Sequence, residues 1–312
     1  MEENQQNKLP LVSVITVNYN QSGVTLEFLA SMKHCTYPNI EIWVVDNASP
    51  SDNPDIIKEQ YPDIHFIKTA KNLGFAGGNN VAVRRAKGKY LLLINNDTEV
   101  EPGFLEPMVE LLESNSEIGM VSPKIQYFYS DNILQFAGFS PFHPITSRNF
   151  AIGFGEQDRG QYDITCETGS IFGAAMLISR PVIEKVGLMS EVFFLYYEEH
   201  DWAAHIKKAG YKIYYQGKSL VLHKESISTV KNSAFQIYYL TRGRVIFARR
   251  NSKGFTKLLS MLYIYIITIP KITLGYLLKG RFDLIHAFWR AMYWNLTHHK
   301  EVYQTERLNN RI

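Results

Sequence analysis

Short apolar runs that close on clusters of Asn and Asp constrain this chain more than any other feature of its sequence. Residues 11–17 run into Asn18-Tyr19-Asn20, residues 40–45 into Asp46-Asn47, and residues 91–94 into Asn95-Asn96-Asp97; residues 64–67 form a further run between them. Helix-like stretches separate these runs. Leu26, Leu29 and Met32 recur at helical spacing, and residues 77–86 read as a helix ended by Gly88. Strands unbroken by polar alternation, with helices between them, predict a parallel sheet covered on both faces. Such sheets bind ligands in the crevice outside the carboxyl ends of their strands. Asn and Asp also cap helices and close turns, so any one cluster is equally explained as structural. Three on one predicted edge favour a binding rim.

Composition agrees with a globular body: 46% of the 312 residues are hydrophobic. Charge is unevenly spread. Residues 231–312 hold 14 Lys and Arg against 3 Asp and Glu, whereas residues 1–230 hold 19 against 27. An acidic body with a basic, aromatic-rich end implies that the two parts meet different surroundings. Cys35 and Cys166 are too few for a disulfide framework or a thiolate zinc site and are expected to be buried thiols. The polar stretch 1–10 lacks the pattern of a secretory signal, so a cytoplasmic chain is expected.

Three motifs carry candidate chemistry. Asp97, at the end of a buried strand, suits a hard cation that also holds a diphosphate, because Mg²⁺ and Mn²⁺ take carboxylate, phosphate and water oxygens. Asn72-Leu73-Gly74-Phe75-Ala76-Gly77-Gly78-Asn79-Asn80 sets three glycines before the predicted helix, where free N–H groups can receive phosphate. This segment does not follow the first strand and lacks both the G-x-G-x-x-G spacing and a Gly-Lys-Ser/Thr ending, which argues against a dehydrogenase and excludes a P-loop enzyme. Glu198, Glu199 and Asp201 open a helix that runs through Trp202 and Ile206 to Gly210; they can act as proton acceptors or simply cap it. His223, closing the apolar run 220–222, is either an imidazole ligand or a structural histidine. Residues 126–169 show no clear period and read as an irregular excursion.

Taken in order, Val12-Ser13-Val14-Ile15-Thr16-Val17-Asn18-Tyr19-Asn20, Val44-Val45-Asp46-Asn47-Ala48-Ser49, the glycine-containing segment, Leu93-Ile94-Asn95-Asn96-Asp97, Gly173-Ala174-Ala175-Met176, Tyr197-Glu198-Glu199-His200-Asp201 and His223-Lys224 resemble glycosyltransferase family 2, in particular its rhamnosyltransferase-like bacterial branch. The resemblance implies an α/β GT-A (nucleotide-diphospho-sugar transferase) fold, mostly parallel with helices on both faces, over residues 1–250. It implies an inverting transfer of a sugar from a UDP- or dTDP-linked donor to a hydroxyl of a saccharide or lipid-linked acceptor, in cell-surface polysaccharide assembly.

By the same resemblance the donor side comprises Asn18, Tyr19, Asp46, Asn72, Gly74, Phe75, Asn79, Asn95 and Asn96, with Tyr19 and Asp46 at base-binding positions. Gly173, Ala174, Glu198 and Trp202 fall on the acceptor side. Asp97 matches the last carboxylate of an Asp-x-Asp motif whose first is here Asn95, and His223 matches a position that completes the metal shell in some members; Mn²⁺ or Mg²⁺ is the implied cofactor. Glu199 stands where the family has an Asp base, and Asp201 is the second candidate. Two other readings compete. A sugar-nucleotide nucleotidyltransferase would carry a basic glycine-rich loop after its first strand, where this chain has Asn20-Gln21-Ser22-Gly23. A catalytically silent membrane scaffold would keep the fold without turnover.

Residues 251–312 form a separate basic, apolar helical segment. Residues 258–278 are apolar but contain Pro270, Lys271 and Gly275, short of the roughly 20 uninterrupted residues of a spanning helix. An interfacial helix or helical hairpin is expected. Arg242, Arg244, Arg249, Arg250, Lys253 and Lys257 precede it, Lys279 and Arg281 follow, and Trp289, Tyr293 and Trp294 lie nearby. Basic and aromatic residues flanking an apolar stretch suit a membrane surface, peripheral on the inner face of the cell membrane. They do not form the continuous polar face that nucleic acid needs.

Overall fold

A computed structural model describes residues 9–224 and 232–303. Strands β1 (Val12–Asn18), β2 (Ile40–Asp46), β3 (His65–Lys68) and β4 (Tyr90–Ile94) pair in parallel in the order β3-β2-β1-β4. Helices α1 (Ser22–Met32), α2 (Asp55–Gln60) and α3 (Gly74–Val83) connect them. Alternation along each strand explains the unbroken apolar runs. Val12, Val14, Val44, Leu92 and Ile94 face one core with Phe28 and Leu29 of α1, while Ile15, Trp43, Val45, Leu91 and Leu93 face the other with Ala82 and Val83 of α3. A strand covered on both sides cannot spare either face for water. Each fully buried Val, Ile or Leu contributes about 1.5–3 kcal/mol relative to its exposed state.

Beyond β4 the sheet becomes mixed. Strand β9 (Ala175–Ser179) pairs antiparallel with β4 and with β6 (Ile118–Tyr127); β10 (Lys212–His223) runs parallel to β6; and β5 (Thr98–Val100) closes the edge antiparallel to β10. The order is thus β3-β2-β1-β4-β9-β6-β10-β5. The expected mostly parallel arrangement holds for the first four strands, whose connections are crossovers through helices. Helix α4 (Glu106–Ser114) joins the first core, whereas α5 (Arg180–Val186) and α6 (Glu198–Lys208) cover the second. The excursion at 126–169 contains two short strands, β7 (Leu134–Phe136) on β6 and β8 (Thr165–Glu167) on β10. Cys35 and Cys166 are unpaired and only half-buried, because each lies at the margin of a core.

Helix α7 (Ala234–Asn251) leads into a continuous helix, Gly254–Leu278, made of α8 (Gly254–Leu262), a π-helical turn (Tyr263–Thr268) and α9 (Ile269–Leu278). Pro270 does not break it. The wide π turn runs just ahead of Pro270, where the missing N–H and the ring's clash with the preceding turn would otherwise interrupt an α-helix. This helix is 25 residues long, long and apolar enough to cross a membrane, and Phe255, Leu258, Leu262, Ile266, Leu274 and Leu278 are exposed along it. Helix α10 (Phe282–Thr297) folds back. Val245 and Ala248 of α7 form one core with Ile264, Ile269, Phe288 and Met292, so a division at 250–251 falls at the end of a helix that belongs to both parts.

Candidate active site

Parallel register brings the polar strand ends to one edge. Asn18 lies beside Asp46 across β1 and β2, and β4 runs alongside β1 from Tyr90 to Leu93. A hydrogen-bonded row follows: Asn96 Nδ2 donates to Thr25 Oγ1 (2.9 Å), Thr25 Oγ1 donates to Asn18 Oδ1 (2.9 Å), and Asn18 Nδ2 donates to Asp46 Oδ1 (2.9 Å). Ser49 holds Asp46 from the other side, with its hydroxyl at 2.6 Å and its N–H at 3.2 Å. Asn18, Asp46 and Asn96 are buried, whereas the Tyr19 side chain is exposed at the rim.

The glycine-containing segment differs from its sequence reading. Gly74 through Asn80 lie inside α3, and the first N–H groups are already occupied. Leu73 N donates to Asn47 Oδ1 (2.9 Å), Gly74 N to Asn72 Oδ1 (2.8 Å) and Phe75 N to the Phe194 carbonyl (2.7 Å). An anion at these donors would have to displace bonds the chain makes to itself. Gly74 has φ +72°, and a β-carbon there would stand 2.1 Å from the Phe194 oxygen, so glycine serves close packing at this position. Asn79 bonds back to the Phe75 carbonyl of its own helix (3.0 Å) and is buried. Asn47, which joins Asn72 to the Gly74 carbonyl, was absent from the expected donor set; its place beside Asp46 was the available signal.

Asp97 and His223 are brought together from residues 126 positions apart: His223 Nε2 stands 3.1 Å from Asp97 Oδ1. Both are buried. Gln135 Oε1 lies 2.7 Å from His223 Nδ1, an amide oxygen placed to accept from the Nδ1–H tautomer. In that tautomer Nε2 turns a lone pair toward a carboxylate oxygen, an arrangement that a cation between them would satisfy. Nitrogen and oxygen donors of this kind fit a divalent cation with coordination positions left for other ligands. Among the described residues no group of three or more His, Cys, Asp and Glu side chains converges, so a bound ion would take further oxygens from a ligand or water. Asn95 is half-buried at the same strand end, and its backbone N–H donates to the Ala174 carbonyl (2.9 Å).

Phe172, Gly173 and Ala174 join the Asp97–His223 pair to the acidic start of α6. The Phe172 ring meets His223 edge-on with centroids 6.3 Å apart, and Ala174 binds Asn95. A β-carbon on Gly173 would lie 3.6 Å from Glu199 Oε1. Asp97 and Glu199 are therefore linked through three consecutive residues. Glu199 Oε1 stands 3.7 Å from His200 Nε2, and His200 Nδ1 lies 2.7 Å from Ser170 Oγ. Burial lowers the His200 pKa, with the Glu199 charge acting in the opposite direction. Glu199 Oε2 and Glu198 Oε2 are shut off from solvent and have no hydrogen-bond partner among the described residues. Burial, and then the neighbouring Glu199 charge, raise the Glu198 carboxyl well above the usual carboxylate range.

Asp201 and Trp202 are not brought to the cleft. Asp201, buried, accepts both Arg250 Nε (3.0 Å) and Asn251 Nδ2 (2.7 Å), which ties α6 to α7. Trp202 fills the second core and donates Nε1–H to the Gly187 carbonyl (2.9 Å). Helical spacing explains both: residues 3 and 4 beyond Glu198 lie on its own side of α6, packed into the protein, and Glu199 occupies the turn's other side. Phe194, Tyr196 and Tyr197, immediately before α6, all have positive φ (67°, 65° and 75°). Such bulky residues hold that conformation only where their surroundings enforce it. Here α3 takes the Phe194 carbonyl, and Gly243 of α7 comes so close that its β-carbon would stand 2.8 Å from the Tyr196 oxygen.

Comparison with known proteins identifies the family and the fold. The model of "Glycosyl transferase family 2" matches residues 13–187, more than half of the chain. A low-salt glycan biosynthesis hexosyltransferase of Haloferax volcanii is 25% identical over 247 residues, covering 78% of this chain and 76% of its own. An N-acetylglucosaminyl-diphospho-decaprenol L-rhamnosyltransferase of Mycobacterium tuberculosis is 21% identical over 264 residues, covering 78% and 86%. Among solved structures, a mannosyltransferase from Pyrobaculum calidifontis in complex with GDP-Man and Mn²⁺ superposes with a TM-score of 0.60 at 17% identity, covering 94% of this chain and 89% of that one.

Proposed function

The chain belongs to glycosyl transferase family 2 and is a glycosyltransferase of glycan or polysaccharide biosynthesis, and we propose that it inverts the sugar it transfers, with Glu199 as the base. The observation that carries this reading is the Phe172–Ala174 link, which has the Asp97–His223 pair at one end and the Glu199 carboxylate at the other.

On this reading Glu199 accepts the proton of an acceptor hydroxyl as its oxygen attacks the anomeric carbon. The bond to the nucleoside diphosphate breaks on the opposite face, and the configuration inverts. Asp97 and His223 would hold a divalent cation, which, when bound, neutralises charge on the departing diphosphate. Asn18 and Asp46 keep the rim rigid beside Tyr19, whose exposed ring can stack on a base. A UDP- or dTDP-linked donor is the proposed carrier. The solved mannosyltransferase is in complex with GDP-Man and Mn²⁺, which supports the nucleotide and metal classes only.

The acceptor is proposed to be a saccharide, free or lipid-linked, met at the inner face of a membrane. Support comes from the exposed apolar side chains of Gly254–Leu278, the flanking basic residues, and the diphospho-decaprenol in the name of the mycobacterial relative. Glu199→Gln tests the chemistry. Transfer is expected to fall by about 10²–10⁴-fold with donor binding close to wild type. Retention of most of the turnover would remove Glu199 from the role of base.

A further inference from the structure

Helix α7 carries Arg242, Arg244, Arg249 and Arg250, and among the described residues only Arg250 has a carboxylate partner, Asp201 at 3.0 Å. Arg242 lies 3.8 Å from the Trp294 ring and donates to the Val192 carbonyl. Arg249 donates to the Asn295 carbonyl and to Tyr265 Oη. Arg244 differs in being buried and bonded through Thr146 to the segment that carries Arg148. Its Nε and Nη2 donate to the Thr146 carbonyl at 3.1 and 2.7 Å and the Tyr263 side chain adds a further hydrogen bond, all neutral partners that leave the charge without a carboxylate among the described residues.

Arg148, two residues past Thr146, is exposed and makes no ion pair among the described residues. Burial first, and then the Arg148 charge, lower the Arg244 pKa, and the same two guanidiniums act on the Tyr197 phenol next to Glu198. Two neighbouring guanidiniums with no carboxylate, one of them withdrawn from water, are unfavourable unless an anion joins them. Phosphate oxygens suit the planar donor fork of arginine.

The location narrows the anion. Residues 140–150 form a hairpin closed by His143 N to the Arg148 carbonyl (2.8 Å) and by Ser140 N to the Phe150 carbonyl (3.0 Å). On one side Ser147 Oγ meets Ser260 Oγ of α8 at 3.5 Å, on the helix that exposes Leu258, Leu262 and Ile266. On the other, Phe142 meets the His200 ring edge-on with centroids 5.1 Å apart, and His200 faces Glu199. The arginine pair therefore stands between an exposed apolar helix and the proposed base.

We propose that Arg148 and Arg244 bind the phosphate or diphosphate of a lipid-linked acceptor, so that its lipid lies along Gly254–Leu278 and its sugar reaches Glu199. This rests on the transferase reading above and adds the part of the acceptor that the cleft itself does not contact. A phosphate on a lipid chain and the headgroup of a bilayer phospholipid share this chemistry, and the test separates them.

The full chain in detergent is titrated without metal with farnesyl diphosphate, farnesol and inorganic pyrophosphate, for wild type and for Arg148→Gln, an exposed change whose melting temperature is checked alongside. Farnesyl diphosphate is expected to bind at least about tenfold more tightly than either fragment, and Arg148→Gln to lose about tenfold, with Arg148→Lys recovering part of it. Co-sedimentation with phosphatidylcholine vesicles containing phosphatidylglycerol should fall by no more than about fivefold in Arg148→Gln, the effect of about 1 kcal/mol for one charge near an anionic surface. Unchanged farnesyl diphosphate affinity in Arg148→Gln overturns the proposal. So does an equal loss of vesicle binding, which would assign the arginines to bilayer headgroups, or pyrophosphate binding as tight as that of farnesyl diphosphate. A separate titration of wild type with UDP and dTDP in Mn²⁺ reports on the donor site, so failure of the transferase reading is distinguishable from failure of this one.

Discussion

Exchanging Asp201 for Ala separates a structural carboxylate from a chemical one within a single helical turn. Asp201 is 1% exposed and accepts from Arg250 Nε on both oxygens and from Asn251 Nδ2. The Arg250 side chain is itself only 4% exposed. Removing the carboxylate breaks a buried ion pair and the Asn251 hydrogen bond at once, while Arg250 Nη1 keeps the Val302 carbonyl. Breaking a buried pair from one side costs about 3–5 kcal/mol. For a body of this size each kcal/mol corresponds to roughly 2–4 °C, so a melting temperature lower by about 6–20 °C is expected by differential scanning calorimetry. Glu199→Gln, which removes no ion pair of comparable burial, should stay within about 2 °C of wild type while losing transfer. Asp201→Ala should keep, below its own melting transition, a transfer rate per folded molecule far above that of Glu199→Gln. An Asp201→Ala variant that melts like wild type but no longer transfers sugar, beside an active Glu199→Gln, would reverse the two assignments.

Other outcomes follow from the same contacts. Because the Glu198 carboxyl titrates higher in the folded than in the unfolded chain, the folded protein binds more protons, and stability falls as pH rises from the ordinary carboxylate range toward the raised value. Glu198→Gln should therefore melt higher than wild type near neutral pH, with the gap closing below about pH 4. Gln135→Leu removes the partner that orients His223 and is expected to weaken Mn²⁺ binding in the presence of UDP by about 10–100-fold, read by electron paramagnetic resonance; unchanged affinity would exclude His223 as an oriented ligand. Ile266→Glu, on the exposed face of the long helix, should reduce salt-resistant, detergent-sensitive co-sedimentation with vesicles, whereas a helix that only packs on another protein would leave it unaltered.

Much of the parallel half could be read from pattern. Val12, Val14 and Ile15 alternate between two cores, so an unbroken apolar run was itself the signature of a strand covered twice. The polar residues that end those strands had to lie on one edge once the strands were parallel. The glycine-containing segment misled because glycines before a helix and glycines inside its tightly packed first turns have the same sequence; only the Phe194 carbonyl, from 120 positions away, separates them. Pro270 misled for a related reason, since a π turn absorbs what composition counts as a break.

The order of apolar runs and their polar ends determined the layered α/β body, the family resemblance and the candidates Asp97, Glu199 and His223. Tertiary structure decided how those candidates divide: Asp201 and Trp202 turn inward to Arg250 and the core, Gln135 arrives from an unpatterned excursion to meet His223, and Arg244 has no carboxylate partner among the described residues. Periodicity records which face of an element is buried. It carries no information about which distant side chain occupies that face, and charge pairing is settled by that occupant.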